Sequence, residues 1–132
     1  MREMENTWPD SDMWPGIFGS WRAVYDILGD GEVIMSYQRK QDKIYAAEMA
    51  YTAEFEGFKA IAMNKTFINS AAFKSVYDPE KHDLMIAYGI IEPGKIRYSL
   101  YSDKIDVSEI AKKYGGGGHK GAAGFYSDKL WI

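Results

Sequence analysis

The chain has 132 residues, 46% of them hydrophobic and 27% charged, which gives room for one domain around one core and is not the composition of a disordered chain. A formal net charge of −3 argues against a protein that grips long duplex DNA and favours short anionic ligands held by a local positive patch. With no cysteine and only two histidines, His82 and His119, the sequence excludes disulfides and thiolate metal sites, and it carries neither HExxH nor a clustered Asp/His run.

The opening stretch "MREMENTWPDSDMW" is acidic and aromatic and lacks the basic stretch and apolar core of a signal peptide. No run of about 18 apolar residues follows, so no membrane partner is expected and the reading is a cytoplasmic protein. Residues 1–30 read as an irregular, partly helical arm rich in Trp, Pro and Gly, including Trp8 and Trp14. Ser20 is expected to cap a short helix with Trp21, Val24, Tyr25 and Leu28 on one face, ended by Gly29. Asp30 then caps a longer helix, Glu32 to Ala50, whose polar middle "YQRKQDK" reads as a solvated face rather than a basic ligand-binding one. Its apolar seam is expected at Ile34, Tyr37, Ile44, Ala47 and Tyr51.

The period then changes. "TAEFEGFKAIAM" reads as two short strands around a Glu56-Gly57 turn. Asn69 can cap a short helix that turns Phe73, Val76 and Tyr77 inward, and Pro79 stops it. His82, just after "DPEK", reads as a surface residue. "LMIAYGII" and "KIRYSLYS" flank Glu92-Pro93-Gly94, a hairpin with a type II turn. On its second arm Ile96, Tyr98 and Leu100 share one face, and Arg97, Ser99 and Tyr101 the other.

A helix follows with its own punctuation. Asp106 and Glu109 make a D-x-x-E capping box, with Ile105 and Ile110 as its staple. Val107, Ile110, Ala111 and Tyr114 make the apolar stripe. Lys112 and Lys113 suit the negative end of the dipole, and Gly115 suits the left-handed cap. The order helix, strands, helix, hairpin, helix, strand gives the expected fold class: α/β, a single mixed domain with a small central sheet flanked by helices, preceded by a helical arm.

The glycine run "GGGGHK" is the chain's least ordinary stretch. It is not a Walker A loop, since Lys120 is followed by glycine rather than Ser or Thr. It matches the letters of a dinucleotide fingerprint, but that motif follows a strand, and this one follows a helix. What remains is a nest: Gly115, Gly116, Gly117 and Gly118 turning main-chain amides toward an anion, with His119 and Lys120 adding donors and charge. The plainer alternative is a flexible surface loop with an incidental histidine; the run's tight setting between a capped helix and "GAAGF" favours the nest.

From Ser99 to Phe125, "SLYSDKIDVSEIAKKYGGGGHKGAAGF" resembles the C-terminal signature of the DHH phosphoesterase superfamily, the DHH-associated substrate-binding domain. The upstream stretch "FEGFKAIAMNKTFINSAAFKSVYDPEKHDLMIAYG" resembles the nanoRNase, oligoribonuclease and cyclic-nucleotide phosphodiesterase-like branch. The resemblance implies a substrate-binding domain over residues 31–132. The glycines and His119 would hold a phosphate, and the strand bearing Ser99, Tyr101 and Ser102 would line the site, with Arg97 on the same face either supplying charge from a position that is not equivalent to the family's arginine or standing as a plain exposed strand residue. Relatives often carry arginine before that last serine; here Tyr101 stands in its place, free to stack on a base or donate its hydroxyl. The resemblance further implies two manganese ions on a separate N-terminal DHH domain. This sequence shows no D-H-H run, so the expectation is a chain with no catalytic residue, metal site or cofactor of its own. Its partners would be that DHH catalytic domain and a short oligonucleotide or nucleoside phosphate. Exposed arm tryptophans would favour self-association. The alternative reading is a free-standing nucleotide or single-strand-binding module without activity. Alanyl-tRNA synthetase C-terminal domains share the architecture, but the "GGGGH" form argues against them.

Overall fold

A computed structural model describes residues 21–132, with side chains from residue 26 onward. The arm before it, with Trp8, Trp14 and the Ser20 cap, lies outside the described residues, as do the side chains of Trp21, Val24 and Tyr25.

Helix α1, Trp21–Met49, is one unbroken element of 29 residues. The stop at Gly29 and restart at Asp30 expected from sequence do not occur. A glycine closes a helix by turning left-handed, and neither Gly29 nor Gly31 has a positive φ. Inside a helix each costs only about 1 kcal/mol against alanine. The expected seam is also wrong: Ile34, Tyr37 and Ile44 are exposed, and so is Ala47. From Asp42 onward the helix belongs to the unit that carries the sheet. There it meets the strands through Ala46, which is buried, with Tyr45 and Ala50 beside it. The Tyr45 hydroxyl donates to the Asn64 carbonyl at 2.5 Å. The helix residue buried there is an alanine, so hydropathy alone points to the wrong face.

Six strands follow: β1 (Tyr51–Phe55), β2 (Phe58–Asn64), β3 (Leu84–Glu92), β4 (Lys95–Tyr101), β5 (Gly117–His119) and β6 (Ala122–Ser127). They form one sheet in the order β1-β2-β3-β4-β6-β5. Only β2 and β3 are parallel. The hairpin turns are those expected. Glu56 and Gly57 both take positive φ, 53° and 80°, which a two-residue turn between twisted strands requires. Gly94 sits at φ 73°, as the third position of a type II turn must.

The parallel β2–β3 pair needs a crossover, and its 3₁₀ turn, Ser70–Phe73, is capped by Asn69, whose Oδ1 accepts from the Ala71 amide at 2.9 Å. Helix α2, Val107–Lys113, is capped by Asp106, whose carboxylate accepts from the Ser108 amide and hydroxyl. The Ser108 hydroxyl is the main reason that carboxyl sits below its usual range. Glu109, the expected reciprocal partner of the box, instead pairs with Lys112 at 2.6 Å.

The sheet has two unequal cores. On one face Leu84, Ile86, Tyr98, Leu100 and Phe125 pack against Val107, Ile110 and Ala111 of α2. Burial raises the Tyr98 hydroxyl above its ordinary pKa. It stays a donor to the Lys129 carbonyl and accepts from the Trp131 amide, tying down the C-terminal segment. On the other face Ile61, Met63, Met85 and Ala87 are covered by Ala46 and Phe73. This second layer lies over β2 and β3, with Tyr101 at its margin. Among the described residues, the same face of β4, β6 and β5 carries no buried cluster.

His82, expected at the surface, is 6% exposed. The Asp78–His82 turn closes through the His82 amide and the Asp78 carbonyl at 2.8 Å, which folds the ring inward. Nδ1 then accepts from the Asp78 amide at 3.0 Å, and the ring stacks on Tyr77. His82→Ala is expected to cost roughly 2 kcal/mol by removing a buried ring and orphaning that amide. The urea midpoint measures it, and an unmoved midpoint would show the ring to be dispensable.

Candidate functional site

The helix–strand junction decides what the glycines do. The Gly115 amide donates to the Lys112 carbonyl at 3.1 Å, and the Gly116 amide to Ala111 at 2.9 Å. With Gly115 at φ 78° this is a Schellman cap. Two of the four amides expected in a nest are therefore spent on ending α2. The other two enter β5, which pairs with β6 in the register Gly117↔Gly124, Gly118↔Ala123, His119↔Ala122. The run is an edge strand rather than a loop. On an edge strand some N–H groups point away from the ladder, so β5 keeps an outward amide even while paired.

Each glycine answers to a different demand. A Cβ on Gly116 would stand 2.1 Å from the Gly124 carbonyl oxygen, so the junction can close only without one. Gly118, at φ 146°, would meet Ala123 at 2.6 Å. Gly117 is different: a Cβ there meets none of the described residues within 4 Å, and its φ is not positive. Neither space nor dihedral angle requires glycine at that position.

Directly paired residues share a face of the sheet. The registers β4–β6 and β6–β5 therefore align Ser99, Gly124 and Gly117 in one row, and Tyr101, Ala122 and His119 in the next. Arg97 pairs with Tyr126 on the far side. All of these lie on the face that the second core leaves uncovered. A row with almost no side chains runs between two rows that have them, and the result is an open cleft of about 370 Å³. Its floor is Ser99, Gly124 and Gly117; Arg97 and Tyr126 stand on one side and Tyr101 on the other. Among the described residues Arg97 has no carboxylate partner. Its guanidinium lies 5.1 Å from the centre of the Phe67 ring.

The sequence-predicted residues divide accordingly. Arg97, Ser99, Tyr101, Gly117 and Gly118 are brought together in the cleft. His119 is exposed and, two residues beyond Gly117 on the same strand, shares its face. Lys120 is exposed in the β5–β6 turn, where its carbonyl accepts from the Val107 amide. Ser102 is not a free donor. Its hydroxyl donates to the Asp83 carbonyl at 2.6 Å and accepts from the Lys104 and Ile105 amides, which uses its one proton and both lone pairs. The Tyr101 proton is likewise committed, to the Ile68 carbonyl at 2.8 Å, leaving the ring and one acceptor site for a ligand. Sequence reasoning missed Gly124, Ala122 and Tyr126. The small-residue run "GAAGF" was the available signal, but its meaning depends on its pairing with β4.

The DHHA1 domain family profile matches residues 64–130, the span from the end of β2 through β6. No curated protein matches the chain. Among solved structures, a pGpG-specific phosphodiesterase from Vibrio cholerae, PggH, is similar with a TM-score of 0.51 at 14% identity, over 74% of this chain and 36% of that one. The DHH domain of PF0399, a member of the s1p family of ribosomal proteins, gives 0.51 at 15% identity, over 80% of this chain and 29% of that one. An uncharacterized protein from Helicobacter pylori G27 gives 0.50 at 17% identity, over 70% and 26%. At these identities the likeness is one of fold, and the chain spans little more than a third of each structure at most.

Proposed function

Because the chain belongs to the DHHA1 domain family, we propose that it is the part of a DHH phosphoesterase that holds the substrate, a nucleotide or short oligonucleotide, by its phosphate. The observation that carries this reading is the cleft floor. Gly117 is glycine where neither the described residues nor its dihedral angle asks for it, and it lies in one row with Gly124 and Ser99, beside a guanidinium that has no carboxylate partner among the described residues. An anion on that floor can approach the main chain closely. Arg97 offers a fork of N–H donors, Ser99 a hydroxyl, and His119 a ring donor from the neighbouring row.

Hydrolysis would fall to a DHH catalytic domain, on the same or another chain, with manganese supplying the activated water. The described residues do not fit such a centre: they include no group of three or more His, Asp or Glu placed to hold a metal ion. The role of this chain's residues is to bind and orient. Among the described residues no helix is long and apolar enough to cross a membrane. A cytoplasmic nucleotide pool suits a ligand of this class.

Titration of the 132-residue chain with the dinucleotide pGpG, followed by amide NMR, tests the reading. Shifts should concentrate at Gly117, Gly118, His119 and Arg97. His119→Ala should weaken binding about tenfold or more, the loss of one charge-assisted contact. Shifts confined to α2 or to β1, or an unchanged affinity in the variant, would overturn the assignment. Manganese and dinucleotide together should give no product, and turnover that disappears in His119→Ala would mean the chain is catalytic in its own right.

A further inference from the structure

Phe67 is the least expected residue on this surface. It is 80% exposed, and it takes φ 57°, a backbone region that a bulky side chain rarely enters. Neither fact follows from a loose loop, because the segment is fastened on both sides. Lys65 pairs with Asp42 at 3.0 Å, and its amide donates to the Met63 carbonyl. The Ile68 carbonyl is held by the Tyr101 hydroxyl. Between them Thr66 settles onto Gly89 of β3, where its Cγ2 lies 2.7 Å from the place a Cβ would occupy. The missing side chain at Gly89 thus lets the crossover lie down on the sheet beside Arg97, since Gly89 and Arg97 are register partners. The fastened loop lifts its aromatic apex into solvent next to the Arg97 guanidinium, which lines the cleft.

We propose that Phe67 is a stacking platform for the base of the bound nucleotide, with Arg97 joining the base site to the phosphate site. The inference rests on the cleft binding a phosphate as argued above, and it names the chemistry next to that phosphate. The Arg97 guanidinium lies 5.1 Å from the centre of the Phe67 ring, and the same side chain lines the cleft whose floor is Ser99, Gly124 and Gly117, so one residue borders both the aromatic surface and the floor where an anion would sit. A nucleotide held there by its phosphate has its base within reach of an exposed aromatic surface, and such stacking is tolerant of base identity. Strained backbone at a fixed, exposed side chain is where a fold retains a residue for its ligand rather than for its core.

Guanosine monophosphate and ribose 5-phosphate, titrated separately into the full chain and followed by NMR, distinguish base from phosphate. Phe67→Ala should weaken guanosine monophosphate about tenfold and leave ribose 5-phosphate unchanged, while Phe67→Trp should restore the nucleotide affinity. Phe67→Gly, which relieves the φ, should melt no lower than the parent while losing the same affinity. Equal weakening of both ligands, or no weakening of either, overturns the platform and leaves the phosphate site standing. A parent chain that binds neither ligand overturns both readings. A Phe67→Gly variant that melts several degrees lower would assign the ring to the fold, and one that loses only association with a DHH domain would assign it to a protein contact.

Discussion

Gly116→Ala is expected to destabilise the chain by about 3 kcal/mol, while Gly117→Ala, one residue on, changes stability by no more than about 0.5 kcal/mol. The added methyl at Gly116 would lie 2.1 Å from the Gly124 carbonyl oxygen and 2.6 Å from the Phe125 Cβ. Both obstacles sit on β6, a strand paired on each side, and Phe125 is 3% exposed within the α2 core. The chain at Gly116 cannot retreat either, since its amide is bonded to Ala111 to close α2. Relief must come from breaking the cap or from pushing β5 off β6. At Gly117 the same methyl enters the cleft and touches none of the described residues. Urea unfolding of the two variants measures the difference. A Gly116→Ala loss below about 1 kcal/mol would mean the junction yields cheaply. A comparable loss at Gly117 would mean the open floor is a structural necessity after all.

That contrast also shows where the sequence stops being readable. Features whose cause is local were legible. Glu56-Gly57, Pro93-Gly94 and the Asn69 and Asp106 caps each carry their dihedral or hydrogen-bonding reason within four residues. The face shared by Arg97, Ser99 and Tyr101 needed only strand alternation. Features decided by a distant partner were not legible. The glycines became a strand because "AAG" in β6 was free to pair with them, and nothing in "GGGG" distinguishes that from a nest. His82 went inside because β1, thirty residues earlier in the chain, offers Thr52 to its Nε2 and so gives the ring a place to be buried. Ser102 looked like a ligand donor until the Asp83 carbonyl and two amides claimed all its valences. Nothing in the sequence singles out Phe67, since neither its dihedral angle nor the gap at Gly89 beneath its neighbour is written in its own stretch of chain.

Arg97→Ala is expected to weaken every phosphate-bearing ligand of the cleft by about 10- to 100-fold, whatever its base, and to do so with little change in stability. Its charge has no carboxylate partner among the described residues, so its removal strands no buried counter-charge. The fold loses chiefly the contact with the Phe67 ring, worth about 0.5–1 kcal/mol at an exposed position. The ligand, in contrast, loses a charged two-pronged donor beside a floor that has little other charge to offer. Arg97→Lys should recover only part of the affinity, because a point charge replaces the planar fork and also lies less well against the aromatic ring. Raising salt should narrow the gap between parent and variant, as screening weakens the interaction that only the parent makes. The pattern across ligands separates the two neighbours: Arg97→Ala should affect ribose 5-phosphate and guanosine monophosphate alike, and Phe67→Ala the nucleotide alone. If Arg97→Ala spares ribose 5-phosphate, the phosphate does not lie on the Ser99–Gly124–Gly117 floor, and the cleft must be assigned to some other part of the ligand.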